Sequence, residues 1–494
     1  MAVRPSTSSL PLDQARPRRS SALITAVLCL CGTLVSLQQT LVVPLLPDLR
    51  HILGVSADNA FWLVTVTLLT AAVATPIVSR LADMVGKKRM MLVSMTVMVS
   101  GSLLAAIGGT FVTVLIGRGV QGFASSLIAV GIGILRDELP REKVPAATAL
   151  MSATLGMGSA MGLPLAGVIY PHLGWRAIFW ISAAAGVLLL TAVAFVVPES
   201  KVRSPGRFDF LGAIILSVAL TALLLGVSKG GSWGWSSGRT IGCFVLAMVV
   251  LAIWVPYQLR VTDPMVNLRT SARRPVLLTN IASMIVGFAM FANMLATTQQ
   301  LQMPVSTGYG FGLSVLTAGL CMVPAGLSMV VFSPVSAKIT TRFGARTTLI
   351  TGALILAAAY VIRFSFNGSI PLIILGAMVV NIGTAITYSA MPILIMQSVP
   401  IAETAASNGL DALLRSIGTS TSSAVVTALL TAMTMDIAGV HLPTLDAFRT
   451  VFAVACGMAL LAAAVAWFIP RMPRTVRVST VVEAAAEARV ETAS

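Results

Sequence analysis

Of 494 residues, 56% are apolar and only 10% are charged, against roughly a quarter charged in ordinary soluble domains, which excludes a water-facing globular chain. The net charge of +16 would suit a nucleic-acid binder, but the basic residues fall in short groups between apolar runs, which excludes a coherent basic patch.

Residues 1–20 are polar, with Pro5, Pro11, Pro17, Arg4, Arg16, Arg18 and Arg19, and read as a disordered cytoplasmic tail. Apolar runs follow at roughly 21–47, 59–78, 90–108, 111–134, 144–169, 177–197, 209–227, 240–259, 275–298, 312–335, 347–366, 370–395, 405–432 and 448–469, fourteen in all. A bilayer-spanning helix needs about 20 apolar residues, and these runs are too long and too uniformly apolar for barrel strands. The sequence thus predicts an all-α integral membrane protein. The first run is too long for a signal-peptide core and no small-residue cleavage site follows it, so no cleavable leader is expected.

Lys and Arg fix the expected orientation. With the N-terminus in the cytoplasm, 25 of the 33 basic residues fall in cytoplasmic segments and tails. The outer loops then hold Arg50, Arg176, Lys229, Arg239 and Arg449, while Arg118, Arg363 and Arg415 lie within runs. Both termini are therefore expected in the cytoplasm, in a multi-pass protein of the cell membrane. Cys29, Cys31, Cys243, Cys321 and Cys456 all sit in apolar runs without a CxxC, so neither disulfides nor a metal site is expected.

An internal repeat supports a two-part architecture. Ser79-Arg-Leu-Ala-Asp83-Met-Val-Gly86-Lys87-Lys88-Arg89 follows the second run, and Ala337-Lys-Ile-Thr-Thr-Arg342-Phe-Gly344-Ala-Arg346 follows the tenth. The two loops fall in register if the seventh and eighth runs are an insertion. This yields a 6+2+6 layout: a tail at 1–20, a six-helix bundle at 21–198, two inserted helices with flanking loops at 199–274, a second bundle at 275–470, and a cytoplasmic tail at 471–494.

Gly86 permits the sharp turn in the first of these loops. Asp83 at a helix boundary can accept hydrogen bonds from a neighbouring helix N-terminus, where the dipole favours negative charge. Arg118 lies about 10 Å into the fourth run at 1.5 Å per residue. A mid-membrane Arg costs about 2.5–3.5 kcal/mol even on lenient insertion scales, so it needs a polar cavity or a partner.

These residues carry a family resemblance. Ser79–Arg89 resembles the loop signature of the major facilitator superfamily, Gly-x-Leu-Ala-Asp-Arg-x-Gly-Arg-Lys, departing at Ser79 and Met84. Arg118-Gly-Val-Gln121-Gly122 resembles its buried-Arg motif. Gly158-Ser-Ala-Met-Gly162-Leu-Pro164-Leu-Ala-Gly167 is similar to its antiporter motif, with Leu163 interposed before Pro164. Gly174-Trp175-Arg176-Ala-Ile-Phe179-Trp180 and Arg207-Phe-Asp209-Phe-Leu-Gly212 look like markers of the fourteen-helix drug:proton antiporters. Together they cover about residues 20–470 and imply a major facilitator fold, proton coupling at Arg118, and a hinge or seal in the fifth run. Physically, the fifth run also suits close helix packing by small residues with a Pro kink.

Other polar residues within runs are candidate pathway positions: Gln38, Gln39, Gln121, Asn293, Asn381 and Tyr388. Asp411 is the acid placed best within the bilayer, and Arg415 sits at the i+4 spacing that lets the two meet. Relatives often carry Asp-x-Thr in the first run; here Gln38 precedes Thr40, which argues against recognition of cationic drugs.

Two matches are discounted: Gly117-x-Gly119-x-x-Gly122 lacks the preceding strand of a dinucleotide fingerprint, and Gly230-Gly-Ser232-Trp-Gly234 lacks the context of a nucleophile elbow. The expectation is a non-enzymatic secondary exporter of small hydrophobic or amphipathic compounds, working by proton antiport and conferring drug resistance. It would be monomeric, without cofactor or nucleic-acid partner. The 24 methionines suit an adaptable cavity. The alternative is a lipid or metabolite translocator on the same fold with weak or no proton coupling.

Overall fold

The structure, a computed structural model, describes residues 20–471 apart from 47, 48, 50, 51 and 438. All but the inner ends of the two expected tails, together with Arg50 and His51, lie outside the described residues.

Uniform apolarity forces intra-segment hydrogen bonding, and the chain answers with long helices. The first group comprises α1 (Ser21–Thr40), α2 (Ala57–Val85), α3 (Lys87–Ile107), α4 (Phe111–Gln121), α5 (Leu127–Glu138), α6 (Val144–Leu173) and α7 (Trp175–Val196). Next come α8 (Phe210–Trp233), α9 (Gly238–Arg260) and the single turn α10 (Leu268–Ser271). The second group is α11 (Arg274–Gln302), α12 (Val315–Phe343), α13 (Ala345–Ser365), α14 (Ile370–Ser398), α15 (Thr404–Ala432) and α16 (Leu445–Trp467).

Thirteen segments among the described residues are long and apolar enough to cross a membrane, with α4 and α5 counted as one. The remaining long helix, α15, has 29 residues but is diluted by Asn408, Asp411, Arg415 and the Thr/Ser tract at 419–423. Several starts are fixed by side-chain caps: Ser56, Thr110, Ser237, Ser314 and Thr444 each accept the backbone N–H three residues on. Gly86 and Gly344, the repeat glycines, each join two helices at positive φ, +129° and +88°, where a side chain would strain the turn.

Within the first group α1 packs on α6 and α3 on α7; within the second, α13 packs on α14 and α11 on α15. The groups meet along α6–α12 and α2–α15. The pair α8–α9 packs on itself, and α8 also reaches α2 and α15. Much of α9 is bare: Leu246, Met248, Val249 and Ile253 are exposed, as lipid-facing positions must be.

The all-α class holds, with one small addition and two corrections. β1 (Thr434–Ile437) and β2 (Val440–Pro443) form a short antiparallel hairpin in the connection between α15 and α16, docked by the Tyr309 hydroxyl on the Pro443 carbonyl. The fourth run is broken by a 3-10 segment at Gly122–Ser126, where Gly122 lies too close to the α2 backbone at Thr67 to admit a side chain. Lys229 is not in a loop but buried in the last turns of α8, its ammonium 4.8 Å from the Trp62 ring centre.

Candidate functional site

At the end of the molecule carrying the loop at 79–89, charge is buried in a network spanning both groups. Lys87 and Asp83 are fully buried and 3.4 Å apart; Lys87 also reaches Asp137 at 2.6 Å. Asp137 accepts from the Ser200 hydroxyl as well. The Asp83 carboxylate accepts the N–H of Ala405 at 3.2 Å and of Ala406 at 2.8 Å, the first turn of α15. A helix start offers free N–H groups and a positive dipole end, so an anion held there ties α2 to α15. Arg136 adds a second tie, donating to the Thr404 hydroxyl and to the Met396 and Val399 carbonyls. This face is latched shut. Asp83→Asn keeps the shape but weakens charge-assisted bonds worth about 1.5–3 kcal/mol each. A cysteine at Ala405 should then react several-fold faster with a membrane-impermeant maleimide applied to that face; unchanged labelling would mean that closure is held elsewhere.

Arg118 is almost fully buried and is held by neighbouring helices. Its guanidinium donates to the carbonyls of Leu63 in α2, at 3.1 Å, and Gln38 in α1, at 2.9 Å, and to Gln121 Oε1 at 2.9 Å. The Gln121 amide passes on to Ser102 of α3 at 2.7 Å. This α4 residue therefore knits α1 and α2, and through Gln121 α3, without a carboxylate partner among the described residues. Gln39 donates to Ser125 at 3.2 Å in the broken stretch.

Asp411 and Arg415 meet as their spacing predicts, at 3.3 Å, with side chains 2% and 13% exposed. The Arg415 guanidinium lies 4.9 Å from the ring centre of Tyr388, itself buried.

Between the two groups lies a narrow crevice, lined by Gly156, Ser159, Ala160 and Leu163 of α6, by Met290, Asn293, Met294 and Thr298 of α11, by Met322 and Gly326 of α12, and by Asn381 of α14. Asn293 and Asn381 are the predicted pathway residues that line it; Gln38, Gln39, Gln121 and Tyr388 do not. The glycines of α6 divide by face. Gly158 and Gly162 let α1 approach, at Ser36 and Thr40. Gly167 faces Leu316 of α12, as Gly156 faces Met329, while Gly326 of α12 packs on Ala160. The seal between groups thus runs along 156, 160, 163 and 167, with Leu163 and the Pro164 ring against Gly319. Of the motif residues singled out in the sequence, Gly158 and Gly162 lie on the α1 face, while Pro164 and Gly167 lie on the α12 face. Among the described residues no group of His, Cys, Asp and Glu could hold a metal ion.

The description of the Major Facilitator Superfamily matches residues 28–423 and 277–492 of this sequence, and the chain belongs to that family. It is a multi-pass membrane transporter, and transporters of this family carry small molecules across a lipid bilayer. It is 27% identical over 390 residues to the multidrug resistance protein Stp of Mycobacterium tuberculosis, covering 78% of this chain and 72% of that one. It is 27% identical over 328 residues to the tetracenomycin C resistance and export protein of Streptomyces glaucescens, covering 66% and 60%. The MFS-type transporter EfpA of Mycobacterium tuberculosis is 26% identical over 476 residues, 92% of this chain and 88% of that protein. The crystal structure of the human organic anion transporter MFSD10 (TETRAN) superposes with a TM-score of 0.64 at 15% identity, covering 92% of this chain and all of that one, which fixes the shared fold.

Proposed function

We propose that this chain exports small hydrophobic or amphipathic compounds from the cytoplasm across the cell membrane, driven by proton antiport. The observation that carries this reading is the crevice between the helix groups, rich in methionine and poor in charge, latched at the basic-loop face by Asp83, Lys87, Asp137 and Arg136. An adaptable apolar site between two bodies, with a breakable latch on one side, is the arrangement alternating access requires. Two relatives, a multidrug resistance protein and a tetracenomycin C resistance and export protein, support the same direction. The working layout is two six-helix bundles with α8 and α9 inserted, both termini cytoplasmic, acting as a monomer. Protons would be handled by Asp411 and Arg415, with Asp83 and Arg118 governing conformation.

The orientation has its own expected result. A cysteine at Ser232, at the exposed end of α8, should react with an impermeant maleimide only from outside the cell. Labelling from the cytoplasmic side alone would invert the topology.

The function is tested in proteoliposomes carrying a fluorescent amphipathic dye. Uptake into inside-out vesicles should follow an imposed pH gradient and collapse with a protonophore. One observation favours a second reading, a lipid or metabolite translocator without strong proton coupling: no carboxylate lines the crevice, and Gln38 stands where relatives often have an acid. Equal transport with and without the gradient would select it.

A further inference from the structure

A second uncompensated guanidinium lies in the other helix group, where the motifs give no hint of it. Arg363, near the end of α13, is fully buried. It donates to the Thr297 hydroxyl at 3.1 Å, to Gln300 Oε1 at 3.3 Å and to the Ile373 carbonyl at 3.4 Å. Its guanidinium lies 4.5 Å from the centre of the Phe452 ring, and no carboxylate among the described residues pairs with it.

That charge gives direction to a chain of hydrogen bonds. Arg can only donate. The Thr297 oxygen therefore receives from Arg363 and has one proton to pass on. It passes it to Asn293 Oδ1, 3.2 Å away and one turn back along α11. An amide whose oxygen is held this way presents its NH2 group on the other side. Asn293 lines the crevice while only 1% exposed, and no acceptor among the described residues takes its amide hydrogens. The other polar groups of the crevice are partly or fully satisfied within their own helices. Ser159 and Thr298 donate to the Gly156 and Met294 carbonyls, and Asn381 donates its NH2 to the Ala377 carbonyl. The crevice therefore offers one oriented amide donor, an acceptor oxygen on Asn381, methionine walls, and a positive charge two hydrogen bonds behind the donor. A cation would meet that charge with no carboxylate to offset it; a carbonyl oxygen would meet a free donor in a dry site.

We propose that the crevice binds uncharged amphipathic molecules through a carbonyl-type oxygen that accepts from the Asn293 amide, with Thr297 and Arg363 as positioning residues that hold the amide in its donating orientation. The proposal rests on the export reading and narrows its substrate class: neutral carbonyl-bearing compounds are carried and quaternary cations are rejected.

The test uses the full-length protein and two probes, a neutral anthraquinone dye and its analogue bearing a trimethylammonium group. Binding is read by fluorescence titration of purified protein, and export by uptake into inside-out vesicles. The wild type should bind and move the neutral dye in preference to the cation. Thr297→Val, close in volume, should weaken neutral-dye binding about three- to tenfold, and Thr297→Ser should restore it. Asn293→Asp, which replaces the donor by an acceptor, should reverse the preference between the two probes; a role in packing alone would lower both affinities together. A wild type that moves neither probe sinks the export reading and this proposal with it. A wild type that moves the neutral dye, with Thr297→Val and Asn293→Asp both keeping its probe preference, sinks this proposal alone, as does a wild type that prefers the cation.

Discussion

Arg118→Ala is expected to abolish transport and to lower the thermal stability of the purified protein. The side chain ties backbone carbonyls on two neighbouring helices and the Gln121 amide into one cluster. Its removal strands the Gln38 carbonyl and Gln121 Oε1 in a buried region, each at a cost of about 1–3 kcal/mol, and leaves a cavity besides; the Leu63 carbonyl keeps the Thr67 hydroxyl. A single-point ammonium cannot match the guanidinium fork, so Arg118→Lys should recover stability but little transport. Dye uptake should fall more than tenfold in both variants, while only Arg118→Ala loses several degrees in melting temperature. Arg118→Ala with normal uptake would show that this cluster is dispensable.

Asp411→Asn should separate binding from energy coupling. Asp411 is the buried acid that touches a partly exposed cation, and Arg415 keeps a second neighbour, Tyr388, when that pair is broken. The variant should therefore fold, bind dye and exchange it across a membrane without a gradient. Accumulation driven by a pH gradient should fall at least tenfold. Accumulation equal to the parent's would place the proton site elsewhere or remove proton coupling from the mechanism.

Both residues were legible in the sequence, because an ionisable group in an apolar run is conspicuous and i+4 spacing tells which neighbours meet. The helices were legible for the same reason: bilayer-length apolar runs admit one backbone solution. What a run does not encode is direction around its axis. Gly158, Gly162, Pro164 and Gly167 read together as a hinge or seal, yet Gly158 and Gly162 face α1 while Pro164 and Gly167 meet α12, as does Gly156. Gln121 read as a pathway residue but spends both ends of its amide on Arg118 and Ser102. Arg363 stood in plain view near a run's end, but its partners Thr297 and Gln300 are more than sixty residues away in sequence and on another helix. The hairpin at 434–443 escaped notice because two four-residue strands are too short for any periodicity to declare them.

The placing of α8 and α9 makes the two seams between the helix groups unequal towards the surrounding lipid. Along α2 and α15 the seam has α8 across it, pinned to α2 by Lys229 against Trp62 and by the Thr65 and Ser228 hydroxyls, with α9 bundled against it. Along α6 and α12 no added helix intervenes, and closure depends on glycine, alanine and leucine fitting face to face. A compound dissolved in the leaflet thus meets a double wall on one flank and a single, side-chain-thin wall on the other. Parting α6 from α12 strands no buried charge among the described residues, whereas parting α2 from α15 breaks Asp83 away from the first turn of α15.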